Sequence, residues 1–110
     1  MPEDITLNDL EVIHNRDANR FEIRVGDELA FVTYRRRGST ISYIHTEVPP
    51  SLEGHGIAAK LAKHALDYAR ANALDVVPIC PYIAAYIGRH PEYADIVLRR
   101  GRPKESRDGS

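Results

Sequence analysis

The stretch PPSLEGHGIAAKLAKHAL, Pro49 to Leu66, runs from two prolines through Gly54-His55-Gly56 into helical spacing. Ile57, Ala58, Leu61, Ala62, Ala65, Leu66 and Ala69 recur at steps of three and four, while Lys60, Lys63, His64, Asp67 and Arg70 take the other side. That spacing predicts an amphipathic helix of roughly four to five turns. A chain entering a helix through two glycines leaves several backbone N–H groups unpaired at one place, with the positive end of the helix dipole behind them. Two readings of the glycines stand side by side. Either they end a strand and start a helix, or they let an anion such as phosphate or pyrophosphate approach bare backbone. The full G-x-G-x-x-G pattern is absent because Ala59 holds the last position, and Ile57 follows Gly56 where a P-loop has lysine. Dinucleotide and nucleoside-triphosphate sites are therefore poorly supported.

Upstream the period is two. FEIRV sets Phe21, Ile23 and Val25 on one side, ELAFVTY sets Leu29, Phe31 and Thr33 against Ala30, Val32 and Tyr34, and STISYIHTEV continues with Ile41, Tyr43 and His45 together. This is the pattern of strands with one covered face. Turn residues at Gly26-Asp27 and Arg36-Arg37-Gly38-Ser39 join them as an antiparallel meander, and a shorter strand around Glu11 to His14 precedes it. Downstream, LDVVPIC (Leu74 to Cys80) has the composition of a buried strand, parallel to an earlier one across the helical crossover. Pro78 lacks an N–H, so this strand is expected at an edge or diverging from its neighbour. Pro81 suits a first helical position, with Ile83, Ala84 and Ile87 as an apolar stripe, and HPEYADIVLR reads as a further helical turn or an end strand. The fold class is α/β: an antiparallel meander, a strand–helix–parallel strand crossover and a short helix.

The chain has 110 residues, the size of one domain. From Arg99 onward apolar residues vanish, so the packed domain is expected over residues 1–98, with a solvated, poorly ordered tail at 99–110. Fifteen basic against sixteen acidic residues give a net charge of −1, which advertises neither a nucleic-acid nor a membrane partner. A single cysteine, no charged-then-apolar leader and no apolar run near ~18 residues point to a soluble cytoplasmic protein. Five scattered histidines without close pairing speak against a structural metal.

The segment TEVPPSLEGHGIAAKLAKHALDYARANALDVVPICPYIAAYIGRHPEYADIV, Thr46 to Val97, resembles the small single-domain members of the GNAT acetyltransferase superfamily. The resemblance covers about half the chain closely. In GNAT proteins a turn of pattern Gln/Arg-x-x-Gly-x-Gly/Ala binds the pyrophosphate of coenzyme A. Gly54 and Gly56 match its glycines, and Ser51 departs from its first position. The resemblance implies a GNAT-like fold with acetyl-CoA as cosubstrate and an amine as acceptor. It implies that Glu47, Val48, Gly54, His55, Gly56, Ile57, Ala58 and Tyr82 lie at the coenzyme. It also implies that the strand ending at Val48 and the strand at Leu74–Cys80 splay apart, and that the pantetheine arm enters the gap. Pro78 fits a ladder that opens.

Acetyl transfer needs a neutral amine, a polarised carbonyl and a proton for the departing thiolate. His45 and Glu47 are candidates to accept the amine proton, the imidazole being the side chain suited to proton transfer near neutral pH. Tyr82 and Tyr86 lie near where many GNAT enzymes hold a tyrosine that protonates the sulfur. Cys80 directly precedes Pro81 at a helix start, where unpaired N–H groups and the dipole favour a thiolate able to take the acetyl group first. The catalytic candidates are thus Cys80, His45 and Tyr86. The competing reading is a coenzyme A-binding module without turnover, acting as a sensor or docking subunit; under either reading the protein is expected as a monomer or weak dimer. The acceptor, a small molecule or a protein amine, is not legible.

Overall fold

The computed structural model describes residues 7–98. The first six residues and the 99–110 tail read above lie outside the described residues. Within them the chain forms β1 (Ile13–Asn15), β2 (Arg20–Val25), β3 (Glu28–Arg37), β4 (Thr40–Glu47), α1 (Ile57–Ala71), β5 (Asp75–Pro78) and α2 (Pro81–Arg89), with 3-10 turns at Leu7–Asp9, Pro50–Leu52 and Pro91–Ile96. The strands lie side by side in chain order, antiparallel from β1 to β4, and β5 runs parallel to β4 as the helical crossover requires.

The alternation in the meander and the stripe on α1 are two sides of one core. Phe21, Ile23, Ala30, Val32, Ile41 and Tyr43 of the sheet are fully buried, as are Leu61, Ala62, Ala65, Leu66 and Ala69 of α1 and Ile83 of α2. Each fully buried large side chain contributes about 1.5–3 kcal/mol, so this shared face supplies the main driving force. The alanines let α1 lie close to the sheet. There Tyr43 reaches across and donates its hydroxyl hydrogen bond to the Ala65 carbonyl at 2.5 Å. α1 ends in a Schellman motif, Leu74 N–H to Ala69 O at 2.8 Å and Ala73 N–H to Arg70 O at 3.2 Å, with Ala73 at φ 56°.

One feature departs from simple alternation. Thr33 pairs with His45 but the next residue, Tyr34, pairs with Tyr43, so Ile44 is an extra residue in β4, a β-bulge. Reading Ile41, Tyr43 and His45 as one side is therefore corrected. The inserted residue reverses the parity. His45 lies on the outer face beside Phe31, ring centroids 6.5 Å apart, and Thr46, paired with buried Val32, moves inward. The reason is energetic: unbroken alternation would carry two ionisable side chains, His45 and Glu47, into the core without partners.

The β4–β5 ladder is short. Its last pair is Tyr43 with Pro78, followed by Cys80 N–H donating to Tyr43 O at 2.8 Å, and no residue of β5 pairs with Ile44–Glu47. Pro78 thus closes the ladder where the two strands begin to part. β5 is also last in the strand order, with a single bridge beyond it from Val76 to Val97. Of the two forms read for HPEYADIVLR it takes the helical turn, as a 3-10 turn over Pro91–Ile96, and the end strand is reduced to the isolated bridge at Val97.

Candidate functional site

The site is built where β4 runs out and α1 begins. Gly56 is the N-cap residue of α1, at φ 78° and ψ 12°, and among the described residues no side chain caps the helix. Gly54 lies at φ 86°. An L side chain in this left-handed region costs about 1–2 kcal/mol, which is why glycine occupies both positions. The first backbone bond of the helix runs from Lys60 N–H to Gly56 O at 3.0 Å. The amides of Ile57, Ala58 and Ala59 precede it and have no acceptor within the helix. They carry the positive end of the α1 dipole.

A cavity of about 240 Å³ opens beside these amides, and its wall runs from Val48 and Leu52 past Gly54, Gly56 and Ala58 to Tyr82. A Cβ added at Gly54 would meet nothing within 4 Å, whereas one at Gly56 would stand 3.3 Å from Leu7 Cδ2. Among the described residues Glu53, exposed, is the one charged side chain on the wall. Uncapped amides at a helix start, with backbone bare enough for close approach, suit a diphosphate; the parting strands beside Val48 leave β4 main-chain groups for an extended arm.

Cys80 is the N-cap residue of α2, with Pro81 behind it, and only 2% of its surface is exposed. Its Sγ lies 3.3 Å from Thr46 Oγ1, so the bulge that turned Thr46 inward also brought a hydroxyl to the thiol. His45 and Glu47 form a pair on the outer face, Nε2 to Oε1 3.2 Å, with more than half of each side chain exposed. Tyr86 is buried, its ring stacked on His90 with centroids 4.0 Å apart, and burial pushes its phenol above the ordinary tyrosine range. It faces a neighbouring cavity of about 410 Å³ shared with Lys60 and Lys63, while Tyr82 faces the glycine cavity.

Residues 20–96 match the family model described as GCN5-related N-acetyl-transferase. The chain belongs to the GCN5-related N-acetyltransferase family. It is similar to Protein NATD1 of Xenopus tropicalis, 34% identical over 85 residues, covering 74% of this chain and 78% of that protein. Similarity to Protein NATD1 of Homo sapiens is 35% over 85 residues, covering 74% and 75%. The fold is similar to the solution structure of a GCN5-like protein from Staphylococcus aureus, with a TM-score of 0.66, 29% identity, and 86% of this chain and 93% of that one covered.

Family members generally use acetyl-CoA, and the expected coenzyme residues divide by position. Val48, Gly54, Gly56, Ile57, Ala58 and Tyr82 line the cavity. His55 and Glu47 are exposed and lie off its wall. Leu52, Ala59 and Thr46 belong to the neighbourhood but carried no signal in the sequence. Leu52 is a lone apolar residue in a turn, and Thr46 stands 34 positions from Cys80, which it meets only across the fork. A threonine brought inward by a bulge is recognisable only once the strand register is known.

Proposed function

We propose that this protein binds acetyl-CoA and transfers the acetyl group to an amine. The observation that supports it is the uncapped start of α1, with Gly54 and Gly56 in left-handed conformations, opening into a cavity at the point where β4 and β5 part. In this reading the amides at Gly56, Ile57 and Ala58 hold the diphosphate, Val48 and Tyr82 flank the pantetheine arm, and the unpaired groups of β4 beyond Tyr43 orient it. Acetyl-CoA supplies an activated acyl group as its thioester.

The remaining chemistry belongs to side chains. His45, paired with Glu47, accepts the proton of the attacking amine directly or through one water, and Glu47 steadies the resulting imidazolium. A tyrosine returns a proton to the departing thiolate: Tyr82 borders the cavity, and Tyr86, one helical turn on, is the other candidate. The contact between Thr46 and Cys80 favours a second route, in which the Cys80 thiol takes the acetyl group as its proton passes to the departing coenzyme A sulfur, and the acetyl-cysteine then yields the group to the amine, whose proton restores the thiol.

The test is incubation with acetyl-CoA and a panel of amines, read by product formation and by intact mass. Acetylated amine that declines in His45→Ala supports direct transfer. A mass increment on wild type that vanishes in Cys80→Ser supports the relay. Coenzyme A that protects the fold while no acetyl product forms with any amine would leave the protein a binding module, and absence of coenzyme binding at millimolar concentration would refute the reading.

A further inference from the structure

At the other end of β4 the β3–β4 hairpin carries a separate cavity of about 320 Å³ lined by Arg35, Arg37, Thr40 and Ser42. The register explains why these four meet. Arg35 pairs with Ser42 and Arg37 with Thr40, so all four side chains leave the same face of the ladder at the corners of one quadrilateral. The intervening Arg36 goes to the opposite face, where its guanidinium reaches the Tyr68 hydroxyl of α1 at 3.3 Å. Among the described residues neither Arg35 nor Arg37 makes an ion pair with a carboxylate.

We propose that Arg35, Arg37, Thr40 and Ser42 form a binding site for a single phosphomonoester or equivalent tetrahedral oxyanion, distinct from the glycine cavity. The donor set decides the class. One guanidinium saturates a carboxylate with two parallel hydrogen bonds, whereas two guanidinium forks with two hydroxyls can serve the several oxygens of a phosphate from two sides. The surroundings favour a compact anion over a nucleic-acid strand. The chain as a whole has a net charge of −1, so a polyanion running past the hairpin would meet no net attraction. The site does not depend on the acetyltransferase reading and stands or falls separately from it.

Titration of the full chain with inorganic phosphate, followed by amide NMR, tests the site. Saturable shifts at Arg35 to Ser42 are expected at millimolar phosphate, reduced about tenfold or more in Arg35→Gln/Arg37→Gln and several-fold in Thr40→Val/Ser42→Ala. Arg35→Lys/Arg37→Lys keeps the charge but loses the fork, so it should also bind more weakly. Both arginines are exposed, and unchanged shifts elsewhere in the spectrum verify that the variants fold. Absence of shifts at tens of millimolar phosphate, shifts that persist in the double glutamine variant, or an equal response to acetate overturns the proposal. A phosphoserine peptide binding tenfold tighter than phosphate identifies a phosphorylated chain as the source, and equal affinity identifies a small free phosphate.

Discussion

Replacing Gly54 by alanine separates a conformational role of this residue from a role in binding. At φ 86° an alanine adopts a left-handed backbone at a cost of about 1–2 kcal/mol, offset by about 0.4–1 kcal/mol because alanine restricts the unfolded chain. The net loss is about 1 kcal/mol, and for a domain of this size that lowers Tm by roughly 4–8 °C. Gly56→Ala should lose more, since its Cβ also presses on Leu7 Cδ2 at 3.3 Å. Gly26→Ala is the control: it carries the same strain at φ 61°, and its Cβ likewise meets nothing, but it sits in the β2–β3 turn. A protein that remains almost wholly folded does not lose ligand affinity through 1 kcal/mol of instability. Calorimetric titration with coenzyme A should therefore show unchanged affinity for Gly26→Ala and at least a tenfold loss for Gly54→Ala, whose new methyl group enters the space given to the diphosphate. Equal affinities in all three proteins, or an equal loss in the Gly26 variant, would refute the reasoning.

Ala73→Gly should stabilise the fold by about 0.5–1 kcal/mol in urea unfolding, because Ala73 holds the left-handed position of the Schellman motif at φ 56°, where glycine is strain-free. Tyr43→Phe should destabilise by about 1 kcal/mol in the same assay, since it removes the buried hydroxyl bond to the Ala65 carbonyl. Stability should fall as the pH drops below 6.5. Burial, then Arg16 and His64, lower the pKa of His14, and burial with Lys60 lowers that of His64 against the opposing pull of Asp67, so below 6.5 the unfolded chain takes up protons that the folded chain refuses. The urea midpoint across that range should slope less in His14→Gln. A second decline belongs to lower pH: burial raises the Asp67 carboxyl, but hydrogen bonds from Tyr93 and Lys63 outweigh it and hold it below its ordinary 3.8, and stability is lost as pH falls through that region. Tyr93→Phe should shrink this second loss.

Much of the architecture was legible because it rests on local periodicity. The alternation from Phe21 to Tyr43 marked strands with one covered face, leaving open for β3 whether Phe31 or Val32 turned inward, the stripe from Ile57 to Ala69 marked the helix that covers that face, and Pro78 marked where the parallel ladder had to stop. The glycines at 54 and 56 were legible as bare backbone at a helix start, because their absent side chains are a local property. His45 went astray for a reason of the same kind. Alternation carries no marker of an inserted residue, although an uninterrupted pattern through Tyr43, His45 and Glu47 would have buried an imidazole and a carboxylate.

By itself, then, the order of residues determined which faces seek the core, where helix and strands lie, and where main-chain amides stand exposed, since each depends on neighbours a few positions apart. Only the folded chain decided that Ile44 bulges, that Thr46 meets Cys80, that Tyr82 rather than Tyr86 borders the glycine cavity, and that Arg35 and Arg37 share a face with Thr40 and Ser42. Those arrangements depend on the register between strands and on the crossing of elements far apart in the chain. Register is a balance of burial across partners, which no single segment contains.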